Sequence, residues 1–228
     1  MEHKKKATIS EGTGRIEAFS DGVFAIAVTL LVLDIRVPEV TDKESLLGAV
    51  LSNWETYLAF VIGFFTLLVC WINHHYMFEM INKSTGMLLL LNGFKLLMVS
   101  FTPFATAVLS KYIGTTHQQT AISIYGLNFF LMGSAMTGIW LYACQHDLTI
   151  ASAAELRAST QLYVFASVLS GVIFILSFFS VIISLVLFGL MFMIFVFPRN
   201  VITGIEKSKW TSVFSLKKLT VFDRPLRS

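Results

Sequence analysis

Residues 162–197 read LYVFASVLSGVIFILSFFSVIISLVLFGLMFMIFVF, a run of 36 residues without a charged side chain. As one helix this run would extend about 54 Å at the helical rise per residue. About 20 apolar residues are enough to cross the hydrocarbon core of a bilayer. The run therefore predicts two membrane crossings, at residues 162–177 and 180–197, joined by a tight turn near Ser177–Ser180.

Further apolar segments precede this run, and the overall composition agrees with them. Hydrophobic residues make up 55% of the 228-residue chain, charged residues only 14%, and the mean hydropathy is +0.73. A soluble domain carries about 25% charged residues. We therefore predict an all-α membrane protein formed by one six-helix domain over residues 1–228, with a basic tail at 199–228 and earlier spans at about 16–37, 54–78, 87–109 and 120–144.

The distribution of basic residues predicts the orientation of the chain. Thirteen of the 17 Lys and Arg residues lie before the first span, in the second and fourth connections, or after the last span, and three lie in the opposite connections. Basic residues favour the cytoplasmic side, so we expect both termini in the cytoplasm and a multi-pass protein of the cell membrane. The basic tail with interleaved Trp210, Phe214 and Phe222 fits attraction to anionic lipid better than nucleic-acid binding.

Several polar residues lie inside the predicted spans, where they are costly and informative. Asp21 and Lys95 are at similar depth, since each follows the start of its span by two turns or so. We expect them to form one polar layer with residues at the same end of the first three spans: Ser20, Trp71, His74, His75 and Asn92. Either a structural hydrogen-bond network or a proton relay fits this layer. Adjacent histidines point about 100° apart, so at most one serves any single site, and we expect no metal centre.

An apolar stripe runs along the first span. Ile26, Thr29, Leu30 and Leu33 follow the i, i+3, i+4, i+7 spacing of one helical face, which by itself indicates only a surface that packs or meets lipid. Asp34 lies near the outer end of this span and has two interpretations: it attracts cations, or it pairs with Arg36 or a neighbouring loop. Cys70 and Cys144 lie in apolar runs and are expected to be inert core thiols.

The motifs of the first three spans resemble the endolysosomal potassium channel family, transmembrane protein 175. Arg15, Phe19, Ser20 and Asp21 match its R-x-x-x-F-S-D signature. Trp71-Ile72-Asn73-His74-His75 resembles its second span, and Leu91-Asn92 with Ser100, Pro103 and Phe104 resembles its third. Lys95 departs from the family pattern, which has an apolar residue there, and its expected roles are pairing with Asp21 or reaching toward the interface.

The resemblance implies how the chain works. As a single-repeat, prokaryotic type of member it is expected to assemble as a homotetramer in the cytoplasmic membrane, with the first span of each chain lining a central pore. By the same resemblance Ile26 forms a hydrophobic constriction, Leu30 and Leu33 continue the pore surface, and Thr29 favours potassium. The motif residues lie behind the pore.

A potassium-selective cation channel is therefore the leading functional prediction. The chain has no Thr-Val-Gly-Tyr-Gly stretch, so the carbonyl filter of ordinary potassium channels is not expected. A proton-coupled secondary transporter using Asp21 and a histidine is the alternative, and an intramembrane metalloenzyme is a third. The channel prediction implies no enzymatic activity and no cofactor beyond the permeant potassium ion.

Overall fold

The computed structural model describes residues 10–40 and 45–207. Within these ranges the chain is almost entirely helical, which confirms the all-α membrane fold. The helices are α1 (Gly14–Leu30), α2 (Leu46–Ser52), α3 (Trp54–Glu79), α4 (Gly86–Tyr112), α5 (Gln118–Gln145), α6 (Ala153–Leu176), α7 (Val181–Phe195) and α8 (Pro198–Lys207), with a 3₁₀ turn at Leu31–Asp34 and two short strands, β1 (Ser10–Glu11) and β2 (Lys83–Ser84).

Five of these helices are long and apolar enough to cross a membrane: α1 with its 3₁₀ turn, α3, α4, α5 and α6. The sixth crossing differs, because α7 has only 15 residues and reaches about 22 Å. Only α7 and α8 together are long and apolar enough for a sixth crossing, and the chain bends by 77° between them. The predicted turn near Ser177–Ser180 is found, since α6 ends at Leu176 and α7 begins at Val181.

Three boundaries predicted from hydropathy need correction. The first helical segment ends at Asp34 rather than residue 37. The fifth helix begins at Ala153 rather than residue 162, because Ser152 and Glu155 form a capping box that starts the helix before its apolar run. The predicted tail begins as a helix, α8, and its remainder at 208–228 lies outside the described residues, as do the N-terminal lysines.

Backbone hydrogen bonds tie three chain segments together at one end of the bundle. β1 pairs antiparallel with β2, the Asn82 amide donates to the Leu148 carbonyl (3.0 Å), and the Ile150 amide donates to the Met80 carbonyl (3.0 Å). Gly12, with a φ of +90°, turns the chain from β1 into α1. The start of α1 and the connections α3–α4 and α5–α6 therefore share one end, so the long helices alternate in direction.

Polar side chains join neighbouring helices in the bundle interior. The Asn128 amide donates to the Thr102 hydroxyl (2.9 Å), and the Trp140 indole donates to the Thr160 hydroxyl (2.8 Å). The Asn73 amide donates to the Phe195 carbonyl at the end of α7 (2.8 Å). Such bonds fix the register of helices that the hydrophobic effect cannot order within lipid.

Candidate functional site

Helix α1 has two different faces. Ile16, Ser20, Phe24 and Ala27 are buried, and Leu31 continues this stripe in the 3₁₀ turn. The spacing of three to four residues places them on one side, which packs against α3 and α4. Since one side of α1 meets the rest of the subunit, its opposite side is left uncovered.

The uncovered face carries the apolar stripe found in the sequence. Ile26 is 61% exposed, Leu33 is 70% exposed, and Leu30 and Thr29 are exposed beside them. The Thr29 hydroxyl donates to the carbonyl of Ile26 (2.9 Å), so it is satisfied within its own helix. The face thus has no packing partner in the described part of the subunit, and it is available to lipid or to another copy of the chain.

The polar layer expected between α1, α3 and α4 is divided into two separate groups. In the buried pair, the Asn92 amide donates to the Ser20 hydroxyl (3.0 Å), and that hydroxyl donates to the Ile16 carbonyl (2.8 Å). Both residues are almost fully buried. This pair joins α1 to α4 near the beginning of each helix.

The second group lies on the exposed side and links α1 to α3. The Trp71 indole donates to the Asp21 carboxylate (2.8 Å). The Trp71 ring stacks on His75, with centroids 5.9 Å apart, and His75 Nε2 lies 3.6 Å from Glu79 Oε1. An indole N–H can donate only, so the Trp71 side chain cannot itself pass a proton from the carboxylate to the imidazole.

His74, adjacent in sequence, is in a different environment. It is buried, neither ring nitrogen has a hydrogen-bond partner in the described residues, and its ring lies between those of Phe24 (5.7 Å) and Phe78 (4.5 Å). His74 is therefore buried while His75 is exposed, which agrees with the rotation of about 100° between adjacent helical positions.

Lys95 is placed differently from either expected role. It is fully buried, so it does not reach the interface. The predicted pairing with Asp21 is wrong, since the Asp21 carboxylate is bonded to Trp71 and Lys95 Nζ has no hydrogen-bond partner among the described residues. Instead Nζ lies over the ring of Phe24, 5.0 Å from its centroid. The rotation of α4, which depth alone does not specify, decides this contact.

The remaining predicted residues lie at the two ends of α1. Arg15 and Phe19 are exposed near its start. Asp34 closes the 3₁₀ turn and interacts electrostatically with Arg36.

Cys70 and Cys144 are free, partly buried thiols. Among the described residues no group of three or more His, Cys, Asp or Glu side chains is arranged to hold a metal ion.

Sequence reasoning missed two contributors to this region. Phe24 contacts both Lys95 and His74 through its ring, and no motif distinguished it from the other phenylalanines. Glu79 lies four residues after His75, and this i, i+4 spacing was the available signal for their pairing. Phe24 emerged only when the packing of α1 on α3 and α4 was known.

The chain is similar to known channel proteins. Residues 15–103 match the family model described as endosomal/lysosomal potassium channel TMEM175. A potassium channel of Chamaesiphon minutus is 41% identical over 174 residues, covering 74% of this chain and 86% of that protein. The endosomal/lysosomal proton channel TMEM175 of Gallus gallus is 34% identical over 142 residues, which span 58% of this chain and 28% of the animal protein. The crystal structure of a lysosomal potassium-selective channel TMEM175 homolog from Chamaesiphon minutus matches with a TM-score of 0.75 and 38% identity, covering 82% of this chain and 98% of that one.

Proposed function

The chain belongs to the TMEM175 family of ion channels, as its motifs predict, and on that premise we propose that it conducts potassium passively across a membrane. The observation that carries the proposal is the uncovered face of α1. A membrane helix that packs by one stripe and presents Ile26, Thr29, Leu30 and Leu33 on the opposite side is suited to line a shared pore.

The proposed pore is built from four chains. One chain contributes one such helix, and by family resemblance four copies surround the axis. A ring of four Ile26 side chains would then close the path by excluding water. Thr29 lies one turn beyond this ring, where its hydroxyl oxygen faces the path while its proton is held by the Ile26 carbonyl. Asp34 lies further along, at the outer mouth, where its charge is shared with Arg36.

The proton-coupled transporter is less well supported by the geometry. The transporter predicted from the sequence would use Asp21 and a histidine as a proton relay. Asp21 is bonded to an indole N–H, and the ring nitrogens of His74 have no hydrogen-bond partner among the described residues. The exposed His75 pairs with Glu79 instead. These groups suit a scaffold that holds α1 against α3 better than a relay.

The proposal also assigns a location. The excess of basic residues at the side of both termini favours a cytoplasmic position for them, in the cell membrane of a prokaryote. The anionic inner surface of that membrane fits the basic segment after α8. No enzymatic step is needed for this function, because a channel only provides a path.

Flux through the purified protein in liposomes tests the proposal. Under a potassium gradient we expect electrogenic flux that is smaller under an equal sodium gradient, and that persists when the proton gradient is collapsed. Protein-free liposomes give the background. Flux that stops without a proton gradient would instead indicate the transporter, and the absence of any electrogenic flux would refute the channel.

A further inference from the structure

Lys95 is the one buried residue of the described chain whose charge the proposed function does not use. Its side chain is 0% exposed. Nζ has no hydrogen-bond partner, and no carboxylate lies within ion-pair distance of it in the described residues. A buried ammonium normally has a counter-ion or several acceptors, so this arrangement requires an explanation.

The groups that face Lys95 leave its charge largely uncompensated. From α1 it meets the ring of Phe24, whose negative face attracts a cation. From α3 it interacts electrostatically with Cys70 and His74. A thiol and an imidazole supply no negative charge in their ordinary neutral forms. The two acids on α1 are bonded elsewhere, because Asp21 accepts from the Trp71 indole and Glu17 accepts from the Thr13 hydroxyl.

The position of Phe24 relates Lys95 to the pore face of α1. Phe24 precedes Ile26 by two residues, which is about 200° around the helix and about 3 Å along its axis. Lys95 therefore lies on the far side of α1 from Ile26 but close to the same depth. One helix, about 10 Å across, separates the ammonium from the face that carries Ile26.

We propose that the four Lys95 side chains place positive charge behind the pore helices at the level of the Ile26 ring and so limit how many cations occupy the constriction. The inference rests on the proposed function, since it needs α1 to line the path. Lys95 acts at a distance through protein of low dielectric, where a charge is weakly screened. It is a conductance-determining residue that does not touch the ion.

Replacing Lys95 by methionine tests the proposal, because methionine is similar in length and uncharged. Four charges at about 10–15 Å, screened by a hydrated path, give a three- to tenfold change in cation occupancy. We expect the single-channel potassium conductance of Lys95→Met to rise by about that factor. Lys95→Arg keeps the charge and is expected to stay near wild type.

Block by barium ions provides a readout that a structural role would not produce. The effect of a potential on occupancy grows exponentially with the valence of the ion. If Lys95→Met raises potassium conductance by a given factor, the affinity for barium block should rise by about the square of that factor. A change in packing would alter both values without this relation.

The outcomes separate this inference from the proposed function. If wild-type protein conducts potassium but assembled Lys95→Met has unchanged conductance and unchanged barium block, the lysine is electrically silent and the inference is wrong. If wild-type protein does not conduct, the proposed function itself fails. Should Lys95→Met not assemble, mixed tetramers with one or two substituted subunits replace it. Their conductance is expected to rise in steps with each charge removed, and wild-type conductance in them would overturn the inference.

Discussion

At the scale of single residues, Ile26 distinguishes a pore from a packing surface. It is 61% exposed in the subunit, so Ile26→Asn leaves the folded subunit without a new buried polar group. If four copies meet on an axis, the amides hydrate the ring, and we expect potassium flux to increase and its preference over sodium to weaken. Liposome flux under potassium and sodium gradients measures both.

Cysteine substitution gives the matched control for this position. A thiol in Ile26→Cys is expected to react with a small water-soluble cationic reagent and block the current. Ala27 is only 2% exposed and belongs to the buried stripe of the same helix, so Ala27→Cys should remain unreactive. Both experiments belong in a background without the native thiols Cys70 and Cys144. A folded Ile26→Asn protein with unaltered flux, together with an unreactive Ile26→Cys, would exclude α1 as the pore helix.

His74 provides a second prediction at this scale, directed at the proton-relay interpretation. Both of its ring nitrogens are buried without a partner in the described residues, and the ring contacts Phe24 and Phe78. His74→Phe preserves these contacts and removes two unsatisfied groups, so we expect the free energy of unfolding to be unchanged or raised by about 1 kcal/mol. Potassium flux should persist.

The truncation His74→Ala is the control for this substitution. It removes the ring from between its aromatic neighbours and is expected to cost about 3 kcal/mol. Thermal unfolding in detergent compares the three proteins. A well-folded His74→Phe protein that has lost all flux would restore the relay interpretation.

At the scale of the helices, Gly63 sets the distance between α3 and its neighbours. A Cβ at this position would lie 2.7 Å from the Thr106 hydroxyl oxygen and 3.1 Å from Leu31 Cδ2. Threonine is stiff at χ1, so Gly63→Ala must move α4 or the 3₁₀ turn. We expect a loss of about 1–3 kcal/mol in the free energy of unfolding.

A glycine elsewhere in the bundle separates this clash from the general effect of adding a methyl group. A Cβ added to Gly138 in α5 would meet no other atom within 4 Å. Gly138→Ala should therefore be neutral or slightly stabilising, because alanine favours helix over glycine. Equal destabilisation by the two substitutions would mean that the close approach at Gly63 is unimportant.

The helix boundaries and rotations differ in how far the sequence could predict them. The turn between α6 and α7 was predictable because a 36-residue apolar run cannot be one crossing. The start of α6 was not predictable from hydropathy, because a charged residue such as Glu155 suggests a loop. In the structure Glu155 instead belongs to the capping box that begins the helix. Depth along a span also followed from the sequence, and it correctly brought Ser20 close to Asn92. The rotation of each helix about its axis could not be predicted from the sequence, because it depends on packing. For this reason the contact of Lys95 with Phe24, rather than Asp21, was not foreseen.

At the scale of the whole molecule, a single subunit leaves the most informative face of its first helix without a partner. Hydrogen bonds and packing account for the buried stripe of α1 within the chain. The opposite stripe is explained only by what surrounds the subunit. The sequence motifs could therefore identify the family, whereas the proposed pore requires further copies of the chain that a single subunit does not contain.

The number of chains in the assembly therefore decides whether copies of α1 can enclose a shared pore. We expect chemical cross-linking in native membranes to give a ladder that ends at four chains, and native mass spectrometry to give four times the 25.5 kDa of one chain. Each chain supplies one α1, and two such helices cannot enclose an ion path, whereas four can surround an axis with their Ile26 side chains. Cross-linking after unfolding in dodecyl sulfate is the control, and it should yield single chains. A ladder ending at two in native membranes would remove the ring of Ile26 and, with it, the basis for placing Lys95 behind a shared pore.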